Sequence, residues 1–177
     1  MMSQISDRYA TAFLELVKEE NKVSDAKAQA KVLYECFDNE VLHFLNINSI
    51  PNGEKKALIN EWFSSCDRDF VSLFCLLIDA RRMNYAKEIL RDFVSKCNKE
   101  LGILEVYVTS AHELKENEKE KIVNAISQKY KQQVELYETV NNELLAGVKI
   151  NIEGKVIDST LRRRVDDMKK ELLKEGW

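Results

Sequence analysis

The hydrophobic period changes once within the segment from Glu143 to Leu172, and this change constrains the fold more than any other feature of the chain. Between Leu144 and Ile152 apolar residues alternate with other residues, which is the period-2 pattern of a β-strand. Glu153-Gly154 then supplies a two-residue turn, so that the residues after it form a partner strand. The segment therefore predicts a β-hairpin at its start.

Behind the hairpin the apolar spacing becomes helical. Asp158-Ser159-Thr160 offers N-cap side chains, and the apolar residues that follow at helical spacing are Leu161, Val165, Met168 and Leu172. The basic run Arg162-Arg163-Arg164 is either a docking patch for an acidic helix or phosphate, or a solvated face paired with Asp166 and Asp167. We expect a capped amphipathic helix here, and none of its residues is a candidate catalyst.

The first part of the chain is helical in every apolar pattern from Ile5 to about Cys97. Six helices are predicted, the second capped near Ser24-Asp25 and the fifth by Asp67 or Asp69. The clearest loop runs over residues 46–53, where Asn, Ser, Pro and Gly are concentrated. These patterns predict a six-helix bundle over residues 1–101.

The second part starts abruptly after Leu101. Alternating residues predict a strand around Val106, a helix from Ala111 to Tyr130 and a second strand around Leu136, ahead of the hairpin and its helix. We therefore predict an α+β protein, in which the helical bundle is followed at residues 102–177 by a small α/β domain with a short sheet and two helices.

The first and fifth helices carry unusually wide apolar arcs. On the first helix Ile5, Tyr9, Ala12 and Leu16 form one stripe, and further apolar residues extend it around the helix. The fifth is apolar nearly all round from Phe70 to Ile78. Either both helices are central in the bundle, or part of each lines an exposed groove that receives a partner helix.

Composition and motifs argue against several classes of function. A net charge of −3 and a pI near 5.6 disfavour a nucleic-acid binder, which usually carries a basic excess. No apolar run approaches the roughly 18 residues that a membrane-spanning helix needs. His43 and His112 lack metal-ligand spacing, and no glycine-rich phosphate loop or nucleophile elbow occurs. We expect no enzyme activity, no cofactor and no metal.

The four cysteines form no CxxC pair. Cys36, Cys75 and Cys97 lie among apolar helical residues, which predicts buried, reduced thiols. A disulfide would require an oxidising compartment, and nothing in the sequence suggests one.

Three stretches resemble one family over essentially the whole chain. They are RYATAF in the first helix, VTSAHEL after the helical part, and AGVKINIEGKVIDSTLRRRVDDM near the C-terminus. The chain resembles the delta subunit of bacterial F-type ATP synthase, which is related to the mitochondrial oligomycin-sensitivity-conferring protein. The C-terminal stretch is the most specific, because it combines Ala146-Gly147, the Gly154 turn and the Val-Ile-Asp cap.

This resemblance implies a non-catalytic stator subunit in the peripheral stalk. Such a subunit links the catalytic head to the stalk, so that proton- or sodium-driven rotation is coupled to ATP synthesis. The implied partners are the N-terminal helix of the alpha subunit and the C-terminal end of the b subunit. The implied location is the cytoplasmic face of the bacterial cell membrane, held there through the complex without direct membrane insertion.

The resemblance also implies two sets of contact residues. In the family, the groove between the first and fifth helices receives the alpha subunit. The corresponding candidates in this chain are Tyr9, Ala10, Phe13, Val17, Leu73, Leu76, Leu77 and Ala80. The candidates for the b subunit are Ala146, Gly147, Val148, Leu161, Val165, Met168 and Leu172. The alternative function is a helical adaptor or scaffold subunit of another multiprotein complex.

Overall fold

A computed structural model of the chain describes residues 4–47, 49–142, 144, 146–160 and 163. The chain divides into two compact units, Met1–Leu101 and Gly102–Trp177. The helices described in the first unit are α1 (Gln4–Glu19), α2 (Val23–Cys36), α3 (Asn39–Asn46), α4 (Asn52–Trp62), α5 (Arg68–Asp79), a 3-10 helix (Met83–Tyr85) and α6 (Ala86–Glu100). The elements described in the second unit are β1 (Ile103–Ser110), α7 (Glu116–Tyr130), β2 (Gln133–Val140), β3 (Val148–Ile152) and β4 (Lys155–Asp158). The fold is therefore mixed α+β, with a helical region and a small sheet domain.

Phenylalanines hold the helical unit together. The Phe13 ring centroid lies 4.7 Å from that of Phe70 and 4.9 Å from that of Phe93, which joins α1 to α5 and α6. A second contact of 4.8 Å, between Phe37 and Phe74, ties the end of α2 to α5. Such ring pairs contribute about 0.5–1.5 kcal/mol each beyond the apolar area they bury. Both α1 and α5 therefore contribute to the core through one face.

The start of α2 differs from the prediction. The helix begins at Val23, and Lys22 occupies the N-cap position without a side-chain cap, so the predicted cap at Ser24-Asp25 is wrong. The cause lies in the preceding turn, where Asn21 adopts a φ of 56° and the Lys22 N–H donates to the Val17 carbonyl at 3.1 Å. Because this turn closes α1 within three residues, α2 starts before the polar pair is reached.

Aspartates begin two other helices. The Asp38 carboxylate accepts the Val41 N–H at 2.7 Å at the start of α3. Asp67 precedes α5 and accepts the Asp69 N–H at 3.4 Å, so of the two predicted caps the first is confirmed. The predicted loop is shorter than residues 46–53, because α3 extends to Asn46 and α4 begins at Asn52, directly after Pro51.

The second unit is a four-stranded sheet with the order β2-β1-β3-β4. β1 and β2 run parallel and are joined through α7, whereas β3 pairs antiparallel with both β1 and β4. The core of this unit contains four buried side chains from the sheet, which are Leu104, Val106, Val108 and Ile152. Leu114, which precedes α7, and Ile126 of α7 complete it. The period-2 pattern of β1 thus produces the core of this unit.

The first helix of the second unit is shorter than predicted. Residues 111–115 are not helical, and α7 begins at Glu116. Glu138 of β2 explains this difference, because its carboxylate accepts the Leu114 N–H at 2.6 Å and the Lys119 ammonium lies 3.1 Å away. These interactions lower the pKa of Glu138, with the Leu114 hydrogen bond as the largest cause. Because the Leu114 N–H is bonded to Glu138, residues 111–115 do not continue the helix toward β1.

The hairpin forms as predicted, although its first strand is shorter. Glu153 and Gly154 have φ values of 48° and 83°, and β3 and β4 pair directly across them. The predicted strand between Leu144 and Ile152 starts only at Val148, because Gly147 has a φ of 97° and interrupts the extended chain. The amphipathic helix predicted from Leu161 to Leu172 lies outside the described residues, apart from Arg163.

Candidate docking surface on the helical unit

The eight candidate residues on α1 and α5 divide into a buried and an accessible set. The residues that are 9% exposed or less are Ala10, Phe13, Val17, Leu73 and Leu77. Tyr9 is half-buried, Ala80 is exposed and Leu76 is 51% exposed. The buried five pack into the core, so the accessible apolar surface of the two helices belongs to other side chains.

An apolar stripe runs along the flank of α1 beside its buried face. Ile5, Tyr9, Ala12 and Leu16 follow one another at intervals of four, three and four residues, which places them on one side of the helix. Ile5 and Tyr9 are half-buried, Ala12 is exposed, and Leu16 is 42% exposed. We call these four residues the α1 stripe. They leave apolar surface in contact with solvent next to the core.

A depression of about 660 Å³ lies along the N-terminal half of this stripe. Ile5, Tyr9 and Ala12 contribute its apolar part. The polar residues that line the rest are Asp7, Arg8, Thr11, Glu15 and Arg82. A concave surface with an apolar strip and charged edges suits one face of an amphipathic helix.

Arg82 connects this depression to the end of α5. Its guanidinium donates a hydrogen bond to the Tyr9 hydroxyl at 3.0 Å and lies 5.7 Å from the centroid of the Tyr9 ring. The backbone directs Arg82 to this position, because Arg81 has a φ of 54° and the Arg82 N–H donates to the Leu77 carbonyl at 2.8 Å. This is the hydrogen-bonding pattern of a helix C-terminus that is capped by a residue in the left-handed conformation.

The accessible part of α5 is narrower. Leu76 and Ala80 are one helical turn apart and both exposed, on the flank next to the buried Leu73 and Leu77. Both α1 and α5 therefore bury one part of a wide apolar arc and expose another.

Sequence reasoning missed Arg82 and omitted three members of the α1 stripe from the candidate set. The four-three-four spacing is visible in the sequence, but the α1 candidates that the family resemblance implies lie, apart from Tyr9, on the neighbouring face. That face is the core face, since it carries Phe13 and Val17. For Arg82 the only signal in the sequence was the Arg81-Arg82 pair that follows α5.

In the second unit the described candidates are Ala146, Gly147 and Val148, and all three are half-buried. Gly147 has a structural role, because a Cβ at this position would lie 2.6 Å from the Ser159 carbonyl oxygen and 2.8 Å from the Thr160 Cα. The Ser159 N–H also donates to the Val148 carbonyl at 3.0 Å. The other four candidates, Leu161, Val165, Met168 and Leu172, lie outside the described residues.

Asp158 organises the segment that packs on Gly147. Its carboxylate accepts the Thr160 hydroxyl at 2.7 Å and the Thr160 N–H at 3.0 Å. The Thr160 hydroxyl, which these bonds orient, in turn accepts the Arg163 N–H at 3.4 Å. The Thr160 hydrogen bonds are the main reason that the pKa of Asp158 is lowered. The predicted capping residues thus hold the end of β4 against residues 147–148.

Neither a metal centre nor a membrane span is evident in the described part of the chain. No group of three or more His, Cys, Asp and Glu side chains there is arranged to hold a metal ion. No helix within those residues is long and apolar enough to cross a membrane. His43 and His112 are both exposed.

The cysteines are all free. Cys97 is buried, and this burial raises the pKa of its thiol to about 12. Cys75 is partly buried, whereas Cys36 is exposed at the last residue of α2. The prediction of a buried thiol at Cys36 is therefore wrong, because Leu33 and Phe37 take the inward positions at this helix end.

Comparison with known proteins identifies a family. A family model described as ATP synthase delta (OSCP) subunit matches residues 5–172. The ATP synthase subunit delta of Fusobacterium nucleatum is 30% identical over 171 residues, which cover 95% of this chain and 98% of that protein. That of Desulfitobacterium hafniense is 33% identical over 174 residues, covering 95% and 96%. A chain in the cryo-EM structure of the Toxoplasma gondii mitochondrial ATP synthase hexamer has the same fold, with a TM-score of 0.76 at 14% identity over 97% of this chain and 98% of that chain.

Proposed function

This chain belongs to the ATP synthase delta (OSCP) subunit family, and on that basis we propose that it fastens the catalytic head of an F-type ATP synthase to the b-subunit stalk through two separate surfaces. It is a stator subunit of that complex and has no catalytic site of its own. Its physical task is to keep the head from turning with the rotor. A clamp under such a load needs slow dissociation, which large apolar contacts provide better than exposed ion pairs.

The first surface is the α1 stripe together with Leu76 of α5 and Ala80, which directly follows this helix. The proposed occupant is the N-terminal helix of an alpha subunit, lying with its apolar face on these residues. The observation that carries this proposal is the exposed apolar surface, since Leu16 is 42% and Leu76 is 51% exposed beside the buried faces of α1 and α5. Tyr9 and Arg82 add a fixed cation at one edge, where a carboxylate of the partner helix can pair with it.

The buried candidates have a supporting role in this proposal. Ala10, Phe13 and Leu77 lie beneath the surface and fix the positions of α1 and α5. Val17 and Leu73 contribute in the same way. These residues determine the shape of the docking surface, whereas the exposed apolar side chains contact the partner.

The second surface lies on residues 102–177 and binds the C-terminal end of the b subunit. Its candidates are Ala146, Gly147 and Val148, with Leu161, Val165, Met168 and Leu172. The half-buried state of the first three supports this only as part of a surface held in place by residues 158–160. In this proposal residues 1–101 act as one six-helix bundle domain and residues 102–177 as a separate domain. The subunit lies at the cytoplasmic face of the cell membrane and is held there by its partners.

Titration with a peptide from the alpha-subunit N-terminus tests the first surface. Leu16→Asp and Leu76→Asp place a charge where the apolar contact forms, and because both side chains are exposed the fold is retained. We expect each to weaken binding about tenfold or more, since losing about 1.4 kcal/mol of contact energy has that effect.

Val32→Asp is the matched control. Val32 lies on α2, which contributes no residue to the proposed surface, and is 65% exposed, so we expect the same chemical change there to leave peptide affinity unaltered. Circular dichroism verifies that all three variants are folded. If Leu16→Asp and Leu76→Asp bind the peptide as tightly as Val32→Asp does, the α1–α5 surface is not the docking site.

A further inference from the structure

A small cationic cavity lies at the ends of α3, α4 and α5, apart from the α1 stripe. Its volume is about 80 Å³, well above the roughly 10–15 Å³ that one water molecule requires. The polar residues that line it are Asn46, Asn52, Lys55 and Arg81. None of its lining residues is acidic. The cavity therefore has room for an ion of several atoms and an excess of positive charge.

Lys55 is the most unusual of these residues. It is only 5% exposed, although a buried lysine is costly unless its ammonium group is paired. Within the described residues its ammonium has neither an ion-pair nor a hydrogen-bond partner. Its neighbour Lys56 differs, because it forms a 2.6 Å ion pair with Asp79. An ammonium that lines a cavity without such a partner, on a lysine whose stem is buried, favours a negatively charged occupant.

Arg81 supplies a second cation to the same cavity. It occupies the left-handed position after α5, with a φ of 54°, where glycine is the usual residue. No side-chain ion pair involving Arg81 is found among the residues that the structure describes. An arginine held in an unfavourable backbone conformation, with its guanidinium free to pair, is well suited to grip an oxyanion from a second direction.

The N-terminus of α4 adds donors and a favourable field. This helix of 11 residues begins at Asn52, and Pro51 in the N-cap position provides no side-chain cap. The Pro51 carbonyl accepts the N–H groups of Glu54 and Lys55, whereas those of Asn52 and Gly53 have no acceptor among the described residues. Such free amides and the positive end of the helix dipole favour anions.

The apolar part of the cavity lining strengthens the attraction between the two cations and an anion. Leu45, Ile78 and Met83 form the apolar part of the cavity lining, and all three are at most 3% exposed. Charges that face an apolar wall are screened less by water than charges on an open surface. Two cationic and two amide side chains thus line one small cavity, with the N-terminus of α4 at its edge.

We propose that this cavity, formed by Lys55, Arg81, Asn46, Asn52 and the N-terminus of α4, binds a tetrahedral oxyanion of the phosphate class. Two positive charges balance a divalent anion, and donors from several directions match the four oxygens of a tetrahedral ion better than the two of a carboxylate. Binding joins the ends of α3, α4 and α5, and therefore stabilises the helical unit without any partner protein.

The test is a titration of the full chain with sodium phosphate, followed by amide chemical shifts in ¹H–¹⁵N spectra and by thermal unfolding. Sodium chloride at matched ionic strength and sodium acetate at the same concentration are the comparisons. We expect saturable shifts at the amides of Asn52, Gly53 and Lys55, and a higher Tm with phosphate than with either other salt.

Two variants remove the cations without harming the fold. Lys55→Met keeps the apolar stem and loses the ammonium, while Arg81→Gly loses the guanidinium and suits the left-handed backbone. We expect each to weaken phosphate binding about tenfold or more, as for loss of a charged hydrogen bond, and neither to lower the Tm in the absence of phosphate. Lys56→Met, which removes a charge one residue away, is the matched control and binds phosphate as the parent does.

The phosphate titration and the three variants decide whether the cavity binds a tetrahedral oxyanion. Saturable binding that is lost in Lys55→Met and Arg81→Gly and kept in Lys56→Met supports the site. A response to phosphate no larger than the response to chloride, or one that survives in both cation variants, overturns it. Tighter binding of acetate than of phosphate overturns the assignment to a tetrahedral oxyanion.

Discussion

Replacing Gly147 by alanine tests how tightly the chain ahead of β3 packs on the chain after β4. A Cβ at this position would lie 2.6 Å from the Ser159 carbonyl oxygen, 2.8 Å from the Thr160 Cα and 3.2 Å from the Ser159 carbonyl carbon. All three atoms belong to the backbone, so no side-chain rotation relieves the overlap. Residues 158–160 are also held by the hydrogen bonds of Asp158 and Thr160.

Two costs add at this site. The φ of 97° is a conformation that alanine rarely adopts, which costs roughly 1–3 kcal/mol. The steric overlap requires a backbone shift, and overpacking of this kind costs about 1–3 kcal/mol more. Gly147→Ala should therefore lower the free energy of unfolding of the second unit by roughly 2–6 kcal/mol. For a small sheet domain this is a large part of the total stability.

Two other glycines provide matched controls. Gly154 also has a positive φ, 83°, but a Cβ there meets nothing within 4 Å, so Gly154→Ala measures the backbone strain alone. Gly53 is in α4 and has open space around it, so Gly53→Ala should be neutral or stabilising by about 0.5–1 kcal/mol.

Hydrogen exchange of the β1 and β3 amides is the suitable assay, because it reports the opening of the second unit separately from that of the first. Gly147→Ala should accelerate exchange in these strands well beyond Gly154→Ala. If the two variants have the same effect, the close approach to residues 159–160 carries no energy and the reasoning is refuted.

Two further predictions concern titratable groups. Glu138→Gln should destabilise the protein at neutral pH, because the lowered pKa of Glu138 means that its charged form favours the folded state. The difference from the parent should shrink as the pH falls below the ordinary glutamate pKa of about 4.3, and a gap in urea midpoints that stays constant down to pH 3 would contradict the assignment. For the thiols, iodoacetamide at pH 8 should alkylate the exposed Cys36 and leave Cys97, whose pKa is about 12, unmodified until the protein unfolds. Mass spectrometry measures both sites, and equal labelling of the two in the native protein would rule out the buried position of Cys97.

Much of the fold was predictable because local periodicity and burial agree along most of the chain. The alternation around Val106 predicted β1, and Glu153-Gly154 predicted the hairpin turn. The cap at Asp67 was predictable for a similar reason, since the side-chain acceptor lies within a few residues of the N–H that it binds. Such features depend on neighbours in sequence, and a local pattern is enough to find them.

The misses arose where a distant residue decided the local structure. Residues 111–115 have an acceptable helical pattern, but Glu138 on β2 takes the Leu114 N–H. In the same way Gly147 ends the extended pattern early, because the chain at Ser159 approaches it closely. Because Glu138 and Ser159 are distant in sequence from the segments that they affect, local periodicity could not predict their effect.

The sequence by itself determined the family and the order of elements, because those depend on the types and spacing of residues along the chain. It also marked α1 and α5 as candidates for the proposed docking surface, since both helices carry wide apolar arcs and the family resemblance implies a groove between them. Only the tertiary structure decided which part of each arc is covered. Phe13 and Leu77 are enclosed by neighbouring helices, whereas Leu16 and Leu76 meet solvent. A helical pattern defines the direction in which a side chain points, but burial depends on what the rest of the chain brings to that side.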